Sequence, residues 1–300
     1  MKISVILPIY NGEKYIEQTL NCIYGQSMSK TDIEVIMFFD KCTDNSIDIT
    51  KNWMQNNPSV KNIKILISNE NVGPSVGRNM AVKQATGEYV HFCDIDDLIN
   101  FRFYESLYKA AISANADVAI SSFVHERYPH DSVIFDEQYV ITMPQDKINH
   151  TLVDMHGYSM RYIIRRDFWN ENKFEYPPDM KYCEDMLVIT KMLVASNKIV
   201  VVPDAVYLYK QRSASLLNAR GKNKIRNYYW KIAKRDVADF LEQNNLKPTA
   251  YKYKRYKVKL LDIFPIIYAK LSPDGTRVKF RLFGIIPICK ISIQQKRYRI

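Results

Sequence analysis

The first 125 residues alternate between two hydrophobic periods, and that alternation constrains the fold more than any other feature of the chain. Residues 3–10, 33–40, 63–68, 88–94 and 117–123 are short apolar, β-branched runs. Each is long enough for a strand covered on both faces. Between them, residues 13–26, 44–56, 75–85 and 101–114 carry apolar positions at helical spacing, such as Ile16, Leu20 and Ile23. Strands alternating with helices in this way predict an α/β chain with a mostly parallel sheet, right-handed crossovers and flanking helices.

Beyond residue 124 the pattern loosens. Residues 133–141 suggest a strand pair, 145–155 a short helix, 183–195 a helix opened by Glu184 and Asp185, and 198–209 a long strand interrupted by Pro203. The last 80 or so residues differ again. Residues 220–300 hold 21 Lys and Arg against 5 Asp and Glu, while the rest of the chain is net acidic. Tyr253, Tyr256, Leu260, Phe264, Ile267 and Leu271 recur at steps of three and four, so a basic amphipathic helical tail is expected, closed by a small hairpin near Gly284. The expected domains are therefore residues 1–219, divided into 1–100 and 101–219, and a tail of residues 220–300.

The ligand site is expected where parallel strands end, because open α/β sheets bind there. The run Tyr89-Val90-His91-Phe92-Cys93 leads straight into Asp94, Asp96 and Asp97. One acid would suffice to cap the following helix. Three packed together repel unless a cation lies among them, and Mg²⁺ or Mn²⁺ bridging them to nucleotide phosphates satisfies that need. At the ends of the earlier strands stand Pro8 and Tyr10, then Asp40, then Asn71 and Arg78. A ring against a base, a carboxylate for a base N–H and a guanidinium for phosphate are the chemistries these supply. The five scattered cysteines and five histidines show no ligand spacing. No signal peptide is visible at the N-terminus and no membrane-spanning run in the sequence, so a cytoplasmic protein is expected.

Four ordered motifs carry a resemblance to a known family. They are Val5-Ile6-Leu7-Pro8-Ile9-Tyr10-Asn11; Asp40 with Thr43-Asp44-Asn45-Ser46; Asn71-Val72-Gly73 with Arg78-Asn79; and Thr86-Gly87-Glu88-Tyr89 leading to Asp94-Ile95-Asp96-Asp97. Together they resemble the family 2 inverting glycosyltransferases of GT-A (Rossmann-like) fold. The match is close over residues 3–100 and looser over 155–215. It implies a hexosyltransferase that moves a sugar from a nucleotide-diphosphate sugar, with UDP-sugar as the commonest donor, to a glycan or lipid-linked acceptor. On that resemblance Pro8, Tyr10 and Asp40 hold base and ribose, and Asn71 and Arg78 complete the donor site. Asp94 and Asp96 form the Asp-x-Asp pair that binds metal, with Asp94 also near the ribose of the nucleotide, Asp96 on the metal, and Asp97 a neighbouring candidate for either role. Asp185 is the catalytic base, Glu184 its orienting neighbour, and Arg212 faces the departing diphosphate. The family commonly has two acids and then Gly-Ser at the end of the second strand, where this chain has Phe39, Asp40, Lys41 and Cys42.

The sequence 279–287 is also similar to tails of bacterial capsule and lipopolysaccharide glycosyltransferases. With the basic excess, it suggests a protein held peripherally on the anionic inner face of a membrane, and not one that binds nucleic acid. Two other classes remain open. A sugar-nucleotide nucleotidyltransferase would carry a Gly-rich basic loop after the first strand, where this chain has Pro8-Ile9-Tyr10-Asn11-Gly12-Glu13. A non-catalytic nucleotide-sugar-binding scaffold would not need acids at 94, 96 and 185.

Overall fold

The computed structural model describes residues 1–128, 131–153, 157–210 and 223–249, and the backbone of four further strands between residues 255 and 292. The first compact unit, Met1–Pro248, contains in order β1 (Ile3–Ile9), α1 (Ile16–Tyr24), β2 (Ile33–Asp40), α2 (Ser46–Asn56), β3 (Ile63–Ser68), α3 (Gly73–Val82), β4 (Tyr89–Phe92), β5 (Leu98–Ile99) and α4 (Phe103–Ala114). It continues with β6 (Val118–His125), β7 (Tyr139–Ile141), α5 (Pro144–Thr151), β8 (Tyr162–Arg165), α6 (Arg166–Glu171), α7 (Glu184–Ala195), β9 (Ile199–Tyr209) and α8 (Asn223–Gln243).

The strands form one sheet in the order β3-β2-β1-β4-β8-β6-β9-β5, with β7 on the edge of β9. β3, β2, β1 and β4 are parallel, as are β6 and β9, whereas β8 inserts antiparallel between β4 and β6. Alternate side chains of each strand enter opposite layers, as a period of two requires. Ile3, Val5, Leu7 and Ile9 of β1 join Ile16, Leu20 and Ile23 of α1 on one face. Ile6, Ile36 and Phe38 join Ala81 of α3 and Ile189 and Met192 of α7 on the other. All eight residues of β2 are buried, which is why its sequence reads as a continuous apolar run.

Two strands, β5 and β8, were not foreseen. The expected strand pair over residues 133–141 reduces to β7 and a single bridge between Val133 and Phe123. The expected boundary after residue 219 also needs correction. α8 buries Ala233, Val237 and Leu241 in the core layer that holds α7, so it belongs to the first unit.

The second unit, Thr249–Ile300, corrects the expected helical extension. Its described backbone is an antiparallel sheet of β10 (Arg255–Leu260), β11 (Phe264–Leu271), β12 (Arg277–Leu282) and β13 (Ile286–Ser292) in sequence order. The segment Tyr256-Lys257-Val258-Lys259-Leu260 alternates apolar and basic residues, a period of two that outweighs the coincident three- and four-residue steps. The hairpin expected near Gly284 corresponds to β12 and β13. No helix among the described residues is long and apolar enough to cross a membrane.

Candidate active site

The loops that leave β1 and β2 are tied into one floor. Asn11 Oδ1 accepts from Thr43 N at 2.8 Å, Gly12 N donates to Ser46 Oγ at 2.9 Å, and Glu13 N donates to Asp44 Oδ2 at 2.9 Å. Asp44 also accepts from Ser46 N at 3.1 Å, so it holds the first residue of α2 against the loop before it. The motif Thr43-Asp44-Asn45-Ser46 is thus a lock between two loops. Asn11 and Lys41 both adopt left-handed backbone, with φ of 51° and 50°. That is the conformation for which the glycine common after the second-strand acids is suited. Above this floor Tyr10 is 55% exposed, its ring open to a planar partner, and Pro8 is half-buried beside it.

Asp40 closes the next loop. It is buried, and its two oxygens accept from Val72 N at 2.7 Å and Gly73 N at 2.9 Å. The acid at the end of β2 and the Asn71-Val72-Gly73 motif are therefore one structural element, joined through backbone hydrogen bonds, with Asn71 exposed at its edge.

α3 lies close on β2 because Gly77 has no side chain: a Cβ there would sit 2.8 Å from the Phe38 ring. That approach brings Arg78 to the centre of the site. Its Nη2 is 3.0 Å from Asp94 Oδ1 and its Nη1 2.6 Å from Glu184 Oε1, while its guanidinium lies 5.3 Å from the Tyr176 ring centroid. Burial opposes its charge, but Asp94 and Glu184 outweigh that and hold it protonated. Asn79, the next residue, clamps the backbone of Tyr176 with its side-chain amide, donating from Nδ2 to Tyr176 O at 2.8 Å and accepting at Oδ1 from Tyr176 N at 2.9 Å. α3 therefore fixes the segment that leads into α7.

The three acids after β4 do not act alike. Asp94 is partly exposed at 32% of its side chain and shares Arg78, and Asp96 is half-buried beside it. Asp97 turns inward: its Oδ2 accepts from the Tyr207 hydroxyl at 2.8 Å and its Oδ1 from Lys210 N at 2.8 Å. Burial, followed by the charges of Asp94 and Asp96, pushes its carboxyl well above the usual range. Asp97 ties this turn to the end of β9 and is corrected from metal candidate to structural acid. Among the described residues no group of three or more His, Cys, Asp and Glu side chains assembles a full metal shell. The pair Asp94 and Asp96 nonetheless fits Mg²⁺ or Mn²⁺, which bind through one or two carboxylates together with substrate phosphates.

Asp185 is the most perturbed acid on the opposite wall. It opens α7 after Cys183, whose φ is 57°, and its Oδ2 accepts from Ser159 N at 3.2 Å. Burial first, then Glu184, push its carboxyl up to about 7, against the pull of Arg78. Two features escaped the sequence. Tyr207, hidden in the apolar run of β9, holds Asp97. Phe123, Tyr158 and Tyr209, with ring centroids 5.1 to 6.1 Å apart, form an aromatic group next to Ser159. Arg212 lies outside the described residues.

Several known proteins resemble this chain in sequence and fold. Residues 4–184 match the sequence model of glycosyl transferase family 2. TarS, a poly(ribitol-phosphate) beta-N-acetylglucosaminyltransferase of Staphylococcus aureus, is 32% identical over 70% of this chain and 35% of its own length. A poly(ribitol-phosphate) beta-glucosyltransferase of Bacillus spizizenii is 29% identical over 70% of this chain and 32% of its own. The chain thus spans about a third of the length of these relatives. The crystal structure of S. aureus TarS 1-349 in complex with UDP-GlcNAc superposes with a TM-score of 0.67 at 27% identity, covering 81% of this chain and 72% of that one. A mannosyltransferase of Pyrobaculum calidifontis in complex with GDP-Man and Mn²⁺ shares the fold, with a TM-score of 0.55 at 18% identity over 79% of this chain and 68% of that one.

Proposed function

The chain belongs to glycosyl transferase family 2, and on that premise we propose that it transfers a sugar, with inversion, from a UDP-sugar to a hydroxyl of a bacterial surface glycan or its lipid-linked precursor. The observation that carries this reading is the Arg78 junction, which joins the donor-side acid Asp94 to Glu184 at the start of α7. One buried cation thereby sets the distance between the two walls of the cleft. The names of the relatives support a UDP-sugar donor and a surface-polymer acceptor.

In this reading Tyr10 and Pro8 pack on the uracil, and Asp40 with the Asn71–Gly73 turn borders the ribose. Asp94 and Asp96 would hold Mg²⁺ or Mn²⁺, which would offset the charge of the diphosphate. Asp185, with its raised affinity for protons, takes the proton of the acceptor hydroxyl. The acceptor oxygen bonds to the anomeric carbon as the bond from that carbon to the diphosphate oxygen breaks on the opposite face. UDP departs with the electron pair, and offsetting its charge is the role proposed for Arg212. Glu184, held by Arg78, keeps the acceptor side of the cleft in register. The enzyme works on the cytoplasmic side of a membrane and is held there peripherally by its basic residues after position 220.

Thermal unfolding with a panel of nucleotide sugars tests the reading. UDP-sugars with Mn²⁺ should raise the midpoint, because a ligand bound only to the folded state stabilises it. Stabilisation by none of them, or equally by nucleotides of every base, contradicts the proposal.

A further inference from the structure

The carboxyl edge of the sheet carries a row of rings beside its acids. β6 and β9 run parallel to each other and, across antiparallel β8, parallel to β4. His125 and Tyr209, which lie opposite each other at the ends of β6 and β9, therefore stand at the edge where Asp94 follows β4, the edge at which open α/β sheets bind ligands. Phe123 and Tyr158 stack with centroids 5.1 Å apart, and the rings of Tyr158 and Tyr209 are within 13° of parallel. His125 meets Tyr209 at 5.0 Å and Tyr128 at 5.1 Å. Phe123 and His125 are buried, Tyr158 and Tyr209 half-buried and Tyr128 exposed, so the row runs from the core towards solvent.

Both half-buried tyrosines are held in register with the acids of the site. Ser159 N, directly after Tyr158, donates to Asp185 Oδ2 at 3.2 Å. Gly157, directly before it, lets the segment press against α7, since a Cβ there would lie 2.6 Å from Met186 Cα. Lys210 N, directly after Tyr209, donates to Asp97 Oδ1 at 2.8 Å. One ring is thus fixed to Asp185 and the other to the turn that carries Asp94 and Asp96. The surroundings are acidic. Burial and then Asp185 and Asp131 push the Tyr158 hydroxyl up to about 12, with the buried Arg161 opposing, while burial and then Asp97 and Asp94 push up that of Tyr209.

We propose that Tyr158 and Tyr209 form the acceptor subsite, taking the C–H face of a neutral sugar ring beside the hydroxyl that Asp185 deprotonates. The face of an aromatic ring is electron-rich and attracts polarised C–H groups, and a pyranose presents several of these on one rigid side. An open-chain polyol has no such side, and a phosphodiester placed on the two rings would lie among Asp94, Asp96 and Asp185. On the glycosyl-transfer reading, on which this rests, the rings select which acceptor hydroxyl reaches Asp185.

Saturation-transfer NMR of the full chain with UDP and Mg²⁺ tests this, with a panel of methyl pyranosides as ring probes and ribitol 5-phosphate as the open-chain, charged probe. At least one pyranoside should bind, with saturation concentrated on the protons of one ring face, and ribitol 5-phosphate should take up little. Tyr158→Leu and Tyr209→Leu should each weaken pyranoside binding by roughly 10-fold, the size of one lost ring contact. Tyr158→Phe and Tyr209→Phe keep the rings and should bind nearly as the parent does. UDP-sugar stabilisation of the same variants should match the parent, which shows that they are folded and separates failure of the acceptor subsite from failure of the donor assignment. In the parent, absence of pyranoside binding, saturation spread evenly over both ring faces, or tighter binding of ribitol 5-phosphate than of every pyranoside overturns the proposal. So does undiminished pyranoside binding in the Leu variants.

Discussion

Arg78 and Glu184, 106 positions apart in sequence, meet in a buried ion pair of 2.6 Å. With Asp94 on the other side of the same guanidinium, the loop after β4 and the start of α7, the two walls of the cleft, share one cation. Arg78→Met should strand two carboxylates near each other in a poorly solvated place. Loss of one partner of a buried pair costs about 3–5 kcal/mol, so chemical denaturation should show a drop of that size, with UDP affinity weakened in parallel. A variant as stable as the parent would mean that the junction is not what holds the walls.

The acids after β4 separate by role. Asp96→Ala should abolish the Mn²⁺ dependence of UDP binding, since the diphosphate and the remaining carboxylate then repel. Asp97→Asn should preserve that dependence, because Asp97 spends both oxygens on Tyr207 and Lys210. Calorimetric titration of UDP with and without Mn²⁺ reads both. Unchanged metal dependence in Asp96→Ala refutes the assignment.

Asp185 makes the fold sensitive to pH. Its carboxyl titrates near 7 in the folded protein because of burial and then Glu184, against roughly 3.9 when unfolded. The folded state thus binds its proton more tightly, and its contribution to stability is complete below about pH 4 and lost as pH rises to about 7. Asp185→Asn cannot ionise. Relative to the parent it should gain up to about 1.4 kcal/mol per pH unit across that window and then level off. Urea unfolding at pH 4.5, 6 and 8 measures this, and a constant difference would show that Asp185 is not held protonated.

The donor half was legible because its motifs lie at strand ends, where local sequence and fold coincide. β1 to β4 and the helices between them follow from hydrophobic period alone. What was not legible depends on partners distant in sequence. Asp97 looks like Asp94 and Asp96 until Tyr207 is placed against it. Asp40 and Val72 look like separate contributors until their hydrogen bond is seen. β8 has only Tyr162-Ile163-Ile164-Arg165 to announce it, and becomes a strand because β4 and β6 leave a slot between them. Arg78 in the sequence suggests a phosphate contact, and only the fold, by bringing α3 against α7, supplies its two carboxylate partners.

Gly87 is required by crowding. A Cβ there would lie 2.6 Å from Ser4 Oγ and 2.7 Å from Ser4 N, while Gly87 N donates to Glu34 Oε1 at 3.1 Å and to Ser4 Oγ at 2.7 Å. Hydrogen bonds from Ser4 and Thr86 hold the Glu34 carboxyl below its ordinary range despite its burial. Gly87→Ala should break this knot and destabilise the protein by about 2 kcal/mol or more, the range for overpacking plus a buried polar group left unpaired. Thermal unfolding checks it, and an unaltered midpoint would show that the strands yield without cost.

In the proposed reaction Asp185 takes the acceptor proton at a site which binds UDP-sugar through other residues. The most direct test of this role is UDP release from the donor that best stabilises the protein, in the parent and in Asp185→Asn, with donor affinity measured on the same samples. The variant should bind donor as the parent does and turn over roughly 10²-fold more slowly or worse, the loss expected of a missing general base. Near-normal UDP release by Asp185→Asn, or no release by the parent with any UDP-sugar and acceptor glycan, would contradict it.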